Sequence, residues 1–512
     1  MTDENSIEQN GKKNVWNMGF LNKKIDFLKA SKISLALFLF VLPWQTVYIF
    51  REVFWESTKW QYGTLNFYFF EVVLWFFIFF GFSYFWKNKI KNFKNLKTRE
   101  LSSGIIFTKT YKFWLRLQEK SWSILWYKQK FFFSSRSKFK SFTNESISEN
   151  NSLKQKIIPV FFTSLIFLFL IISSFFVGDP ALAFQKLRQI IQVLLFLFLI
   201  ISLPIKFNFI VKWFFIGSIL PTVLGVWQFI AQNSFSSTLL GISEHLPWVG
   251  GSSVISNPTI GYWLRAYGSF AHPNIFGGYL FFVLVSLFIY FYNSKKYSSL
   301  LIFIIFLLPT TGLFLTFSRS AWIVFLLVFI ITFFISFLKK KDAFVRALFY
   351  LSFFIISLVF IFFPLVQTRI SGNSITEIKS VQDRMLGYSE AKDLFIENLF
   401  FGVGGGNYTL ALKEKNPNLK PWKYQPVHNI FMLFLVEYGL IGFTILFGGL
   451  YVLVKEIKIK KCLNLTTILS LCLFIILGIF DHYLYSFSVG LLLPSLYFAV
   501  IYKYFLDKKH KV

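Results

Sequence analysis

Residues 298–338 read SSLLIFIIFLLPTTGLFLTFSRSAWIVFLLVFIITFFISFL, two apolar runs that meet at Arg319. Each run is about as long as the 17–25 residues a helix needs to cross a bilayer's hydrocarbon layer. The same signature recurs outward in both directions. About twelve crossings are expected, at approximately 32–50, 65–86, 157–178, 187–204, 207–231, 273–292, 298–317, 320–338, 347–366, 427–454, 463–480 and 485–504. The expected fold is therefore an all-α, polytopic integral membrane protein with a long external loop that bears an amphipathic helix.

Composition agrees with that class. Of 512 residues 55% are hydrophobic and only 15% charged, against about 25% charged in soluble domains. The 53 Lys+Arg against 24 Asp+Glu leave a net charge of +29. That charge sits in short clusters between apolar runs, so it reads as membrane topology and not as a nucleic-acid surface. The lipid bilayer is the expected partner. Cys462 and Cys472 lie on one apolar run, too far apart along a helix to bridge. With five histidines and no CxxC or HExxH spacing, neither a metal site nor a cofactor is expected.

Lys and Arg favour the cytoplasmic side of short loops. Lys12, Lys13, Lys23, Lys24 and Lys29 precede the first run, which is expected to be an uncleaved anchor with the N-terminus inside. Lys206, Lys295, Lys296, Lys339, Lys340, Lys341, Lys455, Lys458, Lys460, Lys461 and the tail at Lys508 agree, whereas Arg51, Lys59, Lys186 and Arg188 fall on the wrong side. The expected organisation is a cytoplasmic segment 1–31, a first transmembrane hairpin 32–86, a basic cytoplasmic or interfacial loop 87–156, transmembrane helices 157–366 with an external loop 232–272, an external loop 367–426, C-terminal transmembrane helices 427–504 and a cytoplasmic tail 505–512. The basic loop carries 17 Lys+Arg against 4 Asp+Glu, with Trp114, Trp122 and Trp126 interleaved as in segments that lie against anionic lipid.

Chemistry is expected in the external loops. In 367–426, Ile375, Ile378, Val381, Met385 and Tyr388 recur at helical spacing, and Arg384 rides on the helix they define. Arg319 stands between two crossings where topology does not want a cation, which makes function the default reading. His428 opens the tenth run from the outer side. Gly439 falls on the same face at helical spacing, and glycine there admits a close helix neighbour. Glu437 falls on the opposite face, so it is no obvious partner for His428. Arg265 and His272 precede the sixth run in RAYGSFAHPN, and Gly402-Val403-Gly404-Gly405-Gly406-Asn407 reads as a loop hinge, not a nucleotide cradle.

Taken in order, the RAYGSFAHPN segment (265–274), TFSRSA (316–321), the Arg384 segment leading to FGVGGGNY (401–408), and His428-Asn429 with EYGLIG (437–442) resemble the O-antigen ligase and O-antigen polymerase family of bacterial membrane glycosyltransferases. The resemblance covers about residues 160–500. It implies a donor glycan linked to undecaprenyl diphosphate, an acceptor glycan, lipid or protein, no metal, and an active site on the external face of the bacterial inner membrane. It matches Arg319 and Arg384 to the family's functional arginines and His428 to its essential histidine. His428, Arg384 and Arg319 are the expected catalytic residues, and Arg265, His272 and Asn429 the expected substrate-binding ones. In the mechanism this suggests, the arginines bind the diphosphate and neutral His428 takes the proton of the attacking acceptor hydroxyl. The alternative from another class is a transporter or flippase of polysaccharide or lipid-linked sugar, which would place its ionisable groups near mid-membrane.

Overall fold

The computed structural model describes residues 26–101, 164–456 and 474–509, apart from Phe167, Pro258, Asn293 and Lys295. The aromatic-rich part of the basic loop, Cys462 and Cys472 lie outside the described residues.

Apolar run length sets the architecture. The elements before the first long gap are α1 (Phe27–Val41), β1 (Val47–Arg51), β2 (Phe54–Trp55), β3 (Thr58–Lys59), β4 (Leu65–Tyr68) and α2 (Phe69–Leu101). The chain resumes with a short apolar helix at Ser164–Ser173, then α3 (Pro180–Ser202), α4 (Phe207–Ala231), β5 (Val254–Asn257), β6 (Gly261–Leu264), α5 (Pro273–Tyr292), α6 (Ser299–Leu315), α7 (Arg319–Leu338) and α8 (Asp342–Ile361). The connecting segment holds α9 (Phe363–Ser371), α10 (Ile375–Glu397) and α11 (Tyr408–Lys415), and α12 (Ile430–Glu456), α13 (Tyr483–Ser486) and α14 (Ser488–Lys509) close the chain.

Among the described residues eight helices are long and apolar enough to cross a membrane: α2, α3, α4, α5, α7, α8, α12 and α14. Each coincides with an expected run. The other four runs differ. The run 32–50 stops as helix at Val41, with Leu42 as its cap and Pro43, which has no N–H to continue the hydrogen-bond ladder, directly after. α6 has 17 residues, and the runs at 157–178 and 463–480 lie partly outside the described residues. The helix α5 is the hub: 89% of its window is buried, as a helix that is apolar on every side requires. The helix α14 is also largely buried, whereas the other six crossings bury one side and expose large apolar side chains on the other.

Three two-stranded sheets, which the all-α expectation omits, join the helices. The strands β1 and β4 pair antiparallel from Val47↔Tyr68, β2 and β3 form a hairpin within that loop, and β5 pairs with β6. The β2–β3 turn uses Glu56 and Ser57, both at positive φ, the backbone of a tight hairpin turn. The cations that broke the topology rule all have protein partners. Arg51 pairs with Asp179 at 2.6 Å, Arg188 with Glu71 at 3.2 Å and Lys59 with Glu52 at 2.5 Å, while buried Lys186 donates to the Tyr485 carbonyl at 2.9 Å.

The helix α12 is broken at Gly439, whose φ of 64° and ψ of −172° suit only glycine. The freed backbone groups are met by the glycine loop. Val403 and Gly404 donate to the carbonyls of Val436 and Glu437, and Leu440 and Ile441 donate to those of Leu399 and Phe400. Broken backbone at membrane depth needs such protein partners. The close neighbour of Gly439 is thus the 399–404 loop and not another helix. It also follows that His428, which precedes the first turn of α12, shares no continuous helical face with Gly439. Gly439→Ala would place Cβ 2.3 Å from the Phe400 carbonyl oxygen; it is expected to cost roughly 3 kcal/mol or more, read as a fall of several degrees in the thermal midpoint of detergent-purified protein. An unchanged midpoint would contradict this.

Candidate functional site

The site forms where α5, α7, α10 and α12 begin. His272 and Pro273 start α5, and the His272 Nδ1 accepts the Asn274 backbone N–H at 3.1 Å, which satisfies one of the free amides of the first turn. Arg265 leaves β6 almost fully buried. Its Nε donates to the Thr316 carbonyl at 2.7 Å, one terminal nitrogen to Ser253 Oγ at 2.6 Å and the other to Asn274 Oδ1 at 2.7 Å. The guanidinium therefore ties the β5–β6 hairpin, the α6–α7 turn and α5 together, and each of its nitrogens already donates to a protein oxygen.

Asn274 carries this chain onward. Its Nδ2 donates to Asp481 Oδ2 at 2.9 Å, and Asp481 Oδ1 lies 3.4 Å from His428 Nδ1 while accepting the His482 backbone N–H at 2.8 Å. Burial by itself would raise the Asp481 carboxyl. The hydrogen bond and charge of His428, the charge of His482 and the Asn274 hydrogen bond outweigh it and hold the group well below the usual carboxylate range. An ionised Asp481 then favours a proton on the facing His428 Nδ1, leaving Nε2 as the free acceptor. The His428 side chain is 29% exposed, so it can be reached from outside the protein.

The arginines gather on the other side of His272. Arg319 starts α7 and pairs with Glu377 at 2.9 Å; Arg369 on α9 pairs with the other oxygen of Glu377 and donates from Nε to the Phe317 carbonyl at 2.8 Å. Glu377 is buried and anchors the first turn of α10. Arg384 and Tyr388 follow it by 7 and 11 residues, which is within about 20° of the same helix face at 100° per residue. Tyr388 accepts a hydrogen bond from Asn429 Nδ2 at 3.3 Å and donates to the Ile479 carbonyl at 3.4 Å. The helix is thereby pinned at its first turn and near its middle, with Arg384 between the pins. Among the described residues Arg384 has no carboxylate within ion-pair reach. Of the four guanidiniums, counting Arg265, only Arg319 and Arg369 pair with a carboxylate, that of Glu377. An anion such as a phosphate fits that imbalance.

His272 joins the halves, since Arg265, Asp481, His428 and Arg369 all act on its charge. Burial first, and then Arg265, lower it to about 3, against about 6.5 in an unfolded chain. Between those values only the unfolded state binds the proton, so stability falls as pH is lowered from about 6.5, by at most about 1.4 kcal/mol per pH unit. Thermal midpoints measured at pH 7, 6 and 5 should decline stepwise, and His272→Asn should decline less steeply. Equal slopes would remove His272 as a source of the acid sensitivity.

The sequence reading and the geometry divide as follows. Arg319, Arg384, Arg265, His272 and His428 converge on one region. Asn429 is engaged otherwise, since its Oδ1 accepts the backbone N–H groups of Phe431 at 2.9 Å and Met432 at 3.1 Å and so caps α12. Arg369, Glu377, Asn274, Asp481 and His482 were not among the expected site residues. A signal for Asp481 existed, because an acid between two apolar runs is functional by default. His428, Asp481 and His482 present possible metal-ligand atoms within 4.8 Å of one another, a grouping that no local spacing announces. Much of that donor capacity is committed inside the protein: both Asp481 oxygens accept hydrogen bonds, and His482 Nδ1 lies 2.9 Å from Ser486 Oγ.

A group of arginines with one shared carboxylate thus adjoins a histidine that faces a buried carboxylate at 3.4 Å, near the ends of membrane-length helices. No curated protein matches the chain. Residues 304–447, which contain Arg319, Arg369, Glu377, Arg384 and His428, match the family model described as O-antigen ligase.

Proposed function

We propose that this protein transfers a glycan from a lipid-diphosphate carrier, of the undecaprenyl type, to an acceptor hydroxyl on the external side of the bacterial inner membrane. The observation that carries the reading is the junction of the arginine group with the His428–Asp481 pair at 3.4 Å. Arg384, with Arg319 and Arg369, binds the diphosphate and offsets the charge it gains as the bond from sugar C1 to phosphate oxygen breaks. The acceptor oxygen forms the new bond to C1 with inversion, and its proton passes to His428 Nε2. Asp481 holds the histidine tautomer and stabilises its protonated form. The remaining expected crossings, about twelve in total, and cytoplasmic termini belong to this reading, as does the choice between a polymerase, whose acceptor is another carrier-linked chain, and a ligase, whose acceptor is a separate lipid or protein.

The transport alternative needs ionisable groups strung through the middle of the bundle. Arg265, Arg319, Arg369, Arg384, His428 and Asp481 instead stand at helix ends or in connecting segments. The test is turnover of a lipid-diphosphate-linked oligosaccharide by purified protein in nanodiscs, with products weighed by mass spectrometry. Transferred glycan and released carrier diphosphate support the reading; donor carried across the bilayer unchanged would overturn it. Because His428 acts here as a base and not as a metal ligand, chelation with EDTA is expected to change the rate by less than about two-fold. A loss restored by added divalent cation would instead make His428, Asp481 and His482 a metal centre.

A further inference from the structure

A cavity lies on the His482 side of the site. The β1–β4 hairpin contributes Tyr62, Thr64 and Asn66, α3 contributes Gln185 and Gln189, and α11 contributes Tyr408. The cavity has a volume of about 90 Å³, room for several water molecules. Its two charged groups are neutralised within the protein: Lys186 donates to Tyr485 and Ser486 carbonyls, and Glu437 accepts from the Tyr485 hydroxyl. What remains open is uncharged. Asn66 Oδ1, Gln189 Oε1 and the Tyr408 hydroxyl are buried without a hydrogen-bond partner among the described residues. Such groups carry a cost unless something supplies the missing bond. Two of the three can only accept, so the missing partner is a donor, and Lys186 and Glu437 together leave no net charge at the wall to select an ion.

The location is as informative as the lining. Tyr62 has its ring centroid 6.1 Å from that of His482, which is 5.1 Å from His428. His272 feels Arg265 and Arg369, whereas His482 feels Lys186; both feel Asp481 and His428. Tyr62 at the cavity wall is thus linked to His428 through His482.

We propose that the cavity is the acceptor subsite, and that it takes a neutral, hydroxyl-bearing sugar whose ring lies against Tyr62 and whose hydroxyls donate to Asn66 and Gln189. The inference rests on the glycosyl-transfer reading and names its acceptor class. It also gives a role to the β1–β4 hairpin, which lies outside residues 304–447.

Two measurements separate its failure from failure of that reading. In steady-state turnover, Asn66→Ala and Tyr62→Ala raise the acceptor KM roughly three- to ten-fold, the effect of one neutral hydrogen bond or ring contact, with donor KM unchanged. Tyr62→Phe, which keeps the ring, restores most of the loss. Unchanged acceptor KM, or an equal rise for donor, overturns the subsite while leaving transfer intact. Independently of turnover, saturation-transfer NMR with maltotetraose and chitotetraose detects binding to the native protein that Tyr62→Ala weakens at an unchanged thermal midpoint. Binding without turnover supports the subsite and counts against the transfer reading; no binding of either sugar, or equal binding to both proteins, overturns the subsite.

Discussion

His428→Ala is expected to lower glycosyl transfer by about 10²–10⁴-fold, the usual worth of a positioned general base, with a nearly unchanged thermal midpoint. The stability expectation follows from burial: the side chain is 29% exposed and its contacts are a 3.4 Å approach to Asp481 and a ring contact with His482, so its loss opens no large cavity. Asp481→Asn should cost activity as well, because an amide no longer favours the proton on the facing His428 Nδ1. Its cost in stability should be larger, since Asp481 accepts from both Asn274 and the His482 amide. Turnover per folded molecule, measured at saturating donor, separates the two effects. Activity of His428→Ala within ten-fold of wild type would remove the histidine from proton transfer.

Arg384→Ala is the second large effect, a fall of about 10²–10³-fold in turnover, comparable to removing one preorganised donor to a developing anion. The argument rests on pairing. Arg319 and Arg369 share Glu377, and Arg265 has all three nitrogens bonded to protein oxygens. Arg384 has no carboxylate partner among the described residues, and the turns at Glu377 and Tyr388 fix the face of α10 on which it stands. Arg384→Lys should recover only part of the loss, because a point charge cannot reproduce a two-pronged fork. Full activity in the lysine variant, with normal donor KM, would show that net charge alone is needed there.

Much of this arrangement was legible in the sequence, and the reason is physical. An apolar run of twenty residues has one stable form in a bilayer, so α4, α5 and α7 could be placed to within a residue or two. Cations on the side where topology disfavours them marked Arg319, and an aligned apolar stripe marked the helix bearing Arg384. Long-range pairing left no such trace. Glu377 and Arg369 stood among the mixed charges of a long loop, and nothing local distinguishes a carboxylate that will be buried between two guanidiniums. Asp481 and His482 interrupt an apolar stretch by only two residues. The β1–β4 hairpin is rich in aromatics and merges at both ends with apolar helix, so period and composition blurred it into neighbouring crossings. Gly439 drew attention as a small residue in a helix, but its positive φ and its pairing with the 399–404 loop belong to tertiary structure.

The central claim is that His428 and Asp481 act as one unit beside the diphosphate-binding arginines. The most direct measurement is a double-variant cycle: single-turnover rates with a lipid-diphosphate-linked oligosaccharide for wild type, His428→Ala, Asp481→Asn and the double variant. Residues that act together are strongly non-additive, so the double variant is predicted to be no slower than His428→Ala within about three-fold. Losses that multiply would contradict the account, because Asp481 would then act on the reaction without the histidine it faces.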